Sequence, residues 1–168
     1  VIAAEAVKCL LIYAGGFAGR NAGAIDQVYA TGQVTGGNSG GLIGFSDSGS
    51  SLSNSFWDTA ATGQGSARGS TSSNAGAQGL TTAQFQDSQA FATLARAWNF
   101  RTVWAPPSAG YYPEFYRWSR VLTIIPDAVS RVYGDANPTL TAGYYGLRPG
   151  DTPLTQATLS TAANASSG

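Results

Sequence analysis

The sequence has no histidine and a single cysteine, Cys9. Without an imidazole to take a proton, Ser-His-Asp and Cys-His nucleophile pairs are excluded. A zinc site built from Cys and His is excluded for the same reason, and one thiol cannot close an internal disulfide. Cys9 sits beside Leu10, Leu11 and Ile12, which reads as a small buried hydrophobe rather than a reactive thiol. Charge is scarce as well: charged residues are 11% of the chain, less than half of the roughly 25% usual in soluble domains. Nine basic and nine acidic residues are scattered without a run and cancel to zero, so the footprint of a nucleic-acid or anionic-membrane binder is missing. No apolar run reaches the roughly 20 residues of a membrane span. The most apolar stretch, residues 1–14, is broken by Glu5 and Lys8, and those charges are misplaced for a secretory signal. The glycines of residues 15–23 are followed neither by Lys-Ser/Thr nor by a long helical pattern, which rules out a phosphate loop. The expectation is a chain without cofactor, metal or catalytic activity.

What is abundant is glycine, 22 residues of it, and it recurs in order. Gly15-Gly16-Phe17-Ala18-Gly19 is answered by Gly40-Gly41-Leu42-Ile43-Gly44, an offset of 25 (Gly15 to Gly40). Further on the offset slips to 27, matching Ile25 to Leu52 and Tyr29 to Phe56. Apolar residues come singly or in pairs between small polar ones, the texture of short strands separated by Gly and Asn turns. Recurrence at this spacing marks a solenoid or a propeller. The solenoid is favoured, because strands this short bury a face only when one coil stacks on the next at about 4.8 Å. Glycines 15, 16, 19, 23, 36 and 37 are expected to supply positive φ at the coil corners. Two copies are fewer than the roughly three a stack needs. Residues 1–14 are therefore expected to plug the open end as a short helix or strand, standing in for a coil or following a missing one. A non-native leader is the alternative.

Residues 60–79 are nearly free of large side chains and read as an exposed loop. Residues 80–118 read as a cap for the open end of the stack, which would otherwise expose unpaired backbone. In that cap, Thr81 or Thr82 serves as an N-cap and a helix runs from about 82 to 96. An apolar strand follows through Trp98, Phe100, Val103 and Trp104 to Pro106-Pro107, and Tyr111, Tyr112, Pro113, Phe115, Tyr116 and Trp118 complete the block. Beyond it, residues 121–125 form a strand closed by Pro126, Gly134-Asp135 a turn, and residues 139–147 a second strand region.

Two family resemblances rest on these segments. Gly40-Gly41-Leu42-Ile43-Gly44, then residues 52–69 with Phe56-Trp57-Asp58-Thr59, then Gly79-Leu80-Thr81-Thr82, resemble the GLUG repeats of secreted bacterial adhesins of the filamentous-haemagglutinin type. The resemblance covers residues 15–118; the first copy departs from it at Phe17-Ala18, and residues 1–14 lie outside it. It implies a right-handed parallel β-solenoid and export by two-partner secretion, hence an outer-membrane secretion partner. Val132-Tyr133-Gly134-Asp135-Ala136-Asn137-Pro138 and Gly150-Asp151-Thr152 resemble the MBG domain, an Ig-like β-sandwich module of similar surface proteins. The expected organisation is an unmatched segment (1–14), GLUG-type repeats (15–59), a low-complexity loop (60–79), a cap (80–118) and the start of an MBG domain (119–168), too short for a closed sandwich of about 75 to 100 residues. A mostly β fold and an extracellular or cell-surface location follow, with host or environmental glycans or proteins as partners.

Two sets of candidate site residues remain. Trp98, Trp104, Tyr111, Tyr112 and Trp118, with Tyr116, could stack sugar rings, although a cluster of this kind is ordinarily a core. Asp26 and Asp58 could project from neighbouring coils as a glycosidase pair, which would make the chain a carbohydrate-active enzyme. The plainer reading makes Asp26, Asp47 and Asp58 solvated corner residues. Asn164-Ala165-Ser166 matches a glycosylation acceptor by chance. The unmatched start and the short MBG segment are also what a functionless remnant of a broken adhesin gene would show.

Overall fold

The computed structural model describes residues 2–3, 5–8, 13–71, 73–118, 121–147, 150–153 and 155–167. Cys9 and its apolar neighbours lie outside them. The described residues are mostly β, 31% of them in strands and 10% in helices, in several small sheets and with no closed barrel among them. It divides into two compact units, Val1–Asn99 with Pro106–Glu114, and Phe100–Ala105 with Phe115–Gly168.

The first unit is built from strands of two to four residues. One pass of the chain runs through β1 (Ile2–Ala3), β2 (Val7–Lys8), β3 (Tyr13–Gly15), β4 (Ala18–Asn21) and β5 (Ala24–Asp26). A second runs through β6 (Tyr29–Ala30), β7 (Val34–Thr35), β8 (Asn38–Gly40), β9 (Ile43–Ser46) and β10 (Ser51–Ser53). Every strand of the first pass pairs in parallel with its counterpart in the second: Ile2 with Tyr29, Val7 with Val34, Tyr13 with Asn38, Ala18 with Ile43, and Ala24 with Ser51. A third pass starts at β11 (Ser55–Asp58), where Phe56 lies against Tyr29. β12 (Ala77–Leu80) then pairs with β11, giving a four-stranded sheet in the order β1-β6-β11-β12.

The pairings of Ile25 with Leu52 and of Tyr29 with Phe56 are those of the sequence offset. The two-residue slip between offsets of 25 and 27 is absorbed at residues 47–50, where Ser50 N–H donates to the Asp47 carbonyl and Gly49 takes φ +84°. The first fourteen residues, expected as a plug, contribute β1, β2 and the start of β3 to the first pass. Ile2-Ala3 and Val7 repeat Tyr29-Ala30 and Val34 at an offset of 27 (Ile2 to Tyr29), a signal the short apolar stretch obscured.

Period-two alternation turns Ala30 and Trp57 of the four-stranded sheet to one side, where they join apolar residues of the other ladders and turns. Val28, Ala30, Leu42, Ile43, Leu52, Trp57 and Ala67 form the inner core. Tyr29 and Phe56, one residue out of phase, point the other way and are covered by helices. α1 (Thr59–Thr62), which sequence reading missed, is capped by Asp58. The single helix expected over 82–96 is two, α2 (Thr82–Phe85) and α3 (Ser88–Leu94). Asp87 divides them, because its carboxylate accepts from the Gln89 and Ala90 N–H groups and so starts a new helix. Thr81 and Gln84 form a capping box at α2. Phe85, Phe91 and Trp98 pack on Phe56 at ring separations of 6.5, 5.2 and 5.7 Å. The helix-and-aromatic block therefore covers the outer face of the sheet, where the expectation placed it over the open end.

Two further expectations need correction. Residues 60–79 are not an exposed loop. Gly65-Ser66-Ala67-Arg68-Gly69 answers Gly40-Gly41-Leu42-Ile43-Gly44 and lies along it: Gly41, Leu42 and Ile43 donate to carbonyls of Ser66 and Ala67, and Gly69 N–H to Ile43. Stacking here is carried by backbone hydrogen bonds, which need small residues rather than large ones, and Ala67 and Arg68 are buried. Glycines 15, 16, 19, 23, 36 and 37 are also absent from the positive-φ positions. The equivalent corners before β6 and β11 are turned by Gln27 and Asn54, at φ +52° and +45°. Repeat glycines serve close approach instead: a Cβ on Gly41 would collide with the Trp57 indole.

In the second unit, β13 (Trp104–Ala105) replaces the longer strand expected from Trp98, since residues 100–103 form turns. After β14 (Glu114–Phe115), β15 (Thr123–Pro126) pairs antiparallel with β16 (Ala142–Tyr145); β16 lies inside the region read from sequence, whereas β15 runs through Pro126, which was expected to close it and instead pairs with Ala142. Between them, Asp135 N–H donates to the Val132 carbonyl around Gly134 at φ +93°. The Arg131 guanidinium donates to Asn137 Oδ1 and to the carbonyls of Asp135 and Asn164, tying residues 163–167 to that turn. Among the described residues of 121–167 none is buried, and β15 and β16 are the only strands.

Candidate functional site

Burial separates the five aromatic candidates. Trp98 is 4% exposed, donates its indole N–H to the Asn54 carbonyl at 2.7 Å, and stands edge-on to Phe91. Tyr112 joins the same cluster, 5.5 Å from Phe85 and 6.2 Å from Tyr29. Its hydroxyl donates to Asp58 Oδ2 at 2.8 Å. Burial first, then the Asp58 carboxylate, push the Tyr112 phenol up to about 12. Tyr29 donates to the Pro113 carbonyl, and burial raises its phenol further. Trp98 and Tyr112 are thus brought together as packing beneath the helices. Tyr111 stays apart, exposed in a turn closed by reciprocal backbone hydrogen bonds with Ser108.

Trp104 and Trp118 each pack against Phe115 in the second unit. Buried Trp104 stacks on Phe115 at 4.1 Å. Trp118 stands edge-on to Phe115 at 5.2 Å and 89° and leaves 74% of its surface in solvent. Thr102, Val103, Phe115, Arg117 and Trp118 line an open recess of about 300 Å³. Arg117, Thr102 and Val103 were not singled out from sequence. Arg117 could have been, as the residue preceding an aromatic candidate; Thr102 and Val103 reach the recess only through the turn at residues 100–103.

The carboxylates are occupied differently. Asp58 is fully buried, correcting its reading as a solvated corner. Its Oδ1 accepts from the Ala60 and Ala61 N–H groups at 2.9 Å, and its Oδ2 from Tyr112. Asp26 is exposed, in a different ladder, and accepts from Ser53 Oγ at 2.7 Å and Asn54 Nδ2 at 2.8 Å. Those two hydrogen bonds hold its carboxyl below the ordinary range, the opposite of what a general acid in glycoside cleavage requires. Asp47 forms an ion pair with Arg20 at 3.0 Å. Among the described residues no three His, Cys, Asp or Glu gather as metal ligands, and no helix is long and apolar enough to cross a membrane.

Residues 122–168 match the MBG domain (YGX type) family. The span begins close to the boundary read from sequence and contains the Tyr133-Gly134-Asp135 turn. Domains of this family are found in extracellular, adhesin-like proteins. No curated protein and no solved structure matches the chain.

Proposed function

We propose that this chain is a non-catalytic structural and adhesive segment of a secreted or surface-exposed bacterial protein. The observation that carries the reading is the MBG match over residues 122–168. The first unit supports it: parallel ladders repeating at 25 to 27 residues (Ala18 to Ile43, Ile2 to Tyr29) suit a short right-handed β-solenoid of the GLUG kind, a stalk that presents surface along its length. Adhesion then comes from weak contacts multiplied by repetition. Two-partner secretion through an outer-membrane protein is the export route this reading entails.

Fractionation of source cells tests the location, using an antibody against the first unit. Signal at the surface or in the medium is expected; signal confined to the cytosol overturns the reading. Beads coated with the chain should be retained on glycan-bearing cell layers above the level of albumin-coated beads, and retention equal to albumin removes the adhesive part.

A further inference from the structure

We infer that the recess of Thr102, Val103, Phe115, Arg117 and Trp118 binds a carboxylate-bearing saccharide residue, of the uronic or sialic acid type. The Trp118 indole is exposed yet braced: it stands on Phe115, which is itself stacked on buried Trp104. A ring held in place and open to solvent can receive a ligand without losing much side-chain freedom. Beside it, Arg117 makes no hydrogen bond or ion pair with any described residue. Among the described lining residues none is acidic, so none of them competes for the guanidinium.

The chemistry of these groups is complementary to one ligand class. The negative face of an indole attracts the weakly positive C–H groups on the flat side of a pyranose ring. The planar fork of an arginine matches a carboxylate in two-pronged fashion, with hydrogen bonds stronger than those between neutral groups. At about 300 Å³ the recess is at the small end of ligand sites, the size for one ring. A folded protein partner would need roughly 800 Å² on each side.

This inference rests on the adhesive reading for its setting, and its test separates the two. The full chain is titrated with tri-galacturonate and with N-acetylneuraminic acid, following tryptophan fluorescence and saturation-transfer NMR. Neutral galactose trimer, acetate and an oligo-glutamate peptide serve as comparisons. Acidic sugars are expected to bind at least about tenfold more tightly than the neutral trimer, the worth of one charge-assisted contact. Trp118→Ala should abolish binding of both. Arg117→Gln should erase the preference while keeping binding at the neutral level, with circular dichroism unchanged. Equal binding of neutral and acidic trimers, equal binding of acetate or oligo-glutamate, or no sugar binding overturns the site. Lost sugar binding with bead retention intact would sink the site and spare the adhesive reading; sugar binding without retention would do the reverse.

Discussion

Asp58 shows how much one side chain can organise. Its two oxygens cap α1 and receive the Tyr112 hydroxyl, all in the interior. Asp58→Ala removes the cap and strands a phenol, so urea denaturation should show a loss of about 1–3 kcal/mol. Asp58→Asn should lose less, because an amide oxygen also caps. Tyr112 gives the protein an alkaline limit. Its phenol titrates near 10 when unfolded and is pushed up to about 12 when folded, so folding favours the protonated form. Its contribution is complete below pH 10 and disappears as pH rises toward 12. Buried Tyr29 shifts in the same direction. Denaturation midpoints should therefore be level to about pH 10 and fall above it, with the fall reduced in Tyr112→Phe. Both partners of the Asp58–Tyr112 contact were singled out in the sequence, but as members of separate sets. They are 54 positions apart, and no spacing rule connects them.

At the scale of elements, ladder register was legible because apolar residues mark it: Ile25 faces Leu52 and Tyr29 faces Phe56. Stacking through residues 65–69 was not, because its bonds are made by backbone and its residues are small. The flanking position of α2 and α3 depends on which of Val28 and Tyr29 faces inward, and alternation alone gives two faces without naming the inner one. Fit at the core follows the same logic. Gly41→Ala would drive a methyl into the Trp57 indole, and overpacking of this kind should lower stability by about 1–3 kcal/mol, measured by thermal denaturation. An unchanged midpoint would show that the passes can shift apart to admit it.

For the molecule as a whole, the first unit and residues 121–167 differ in what holds them. The first has a buried core, whereas the described residues of 121–167 have none. Hydrogen exchange should accordingly be slowest at β6, β9 and β11 and fast through residues 127–141 and 155–167, since protection follows burial. Comparable protection in both regions would contradict this. The segment that matches the MBG family was legible because its signature, residues 132–138, is contiguous; the recess beside Trp118 was not, because a turn assembles it. The stacked passes have one more consequence. Neighbouring segments in the first unit's named ladders are separated by 22 to 27 residues (Phe56 to Gln78, Ile2 to Tyr29), whichever pass they belong to. The entropy of closing each loop is then nearly constant. Such a chain can fold like a zip, each new pass needing only the one before it, so lengthening the stack adds time in proportion to its length and no new search.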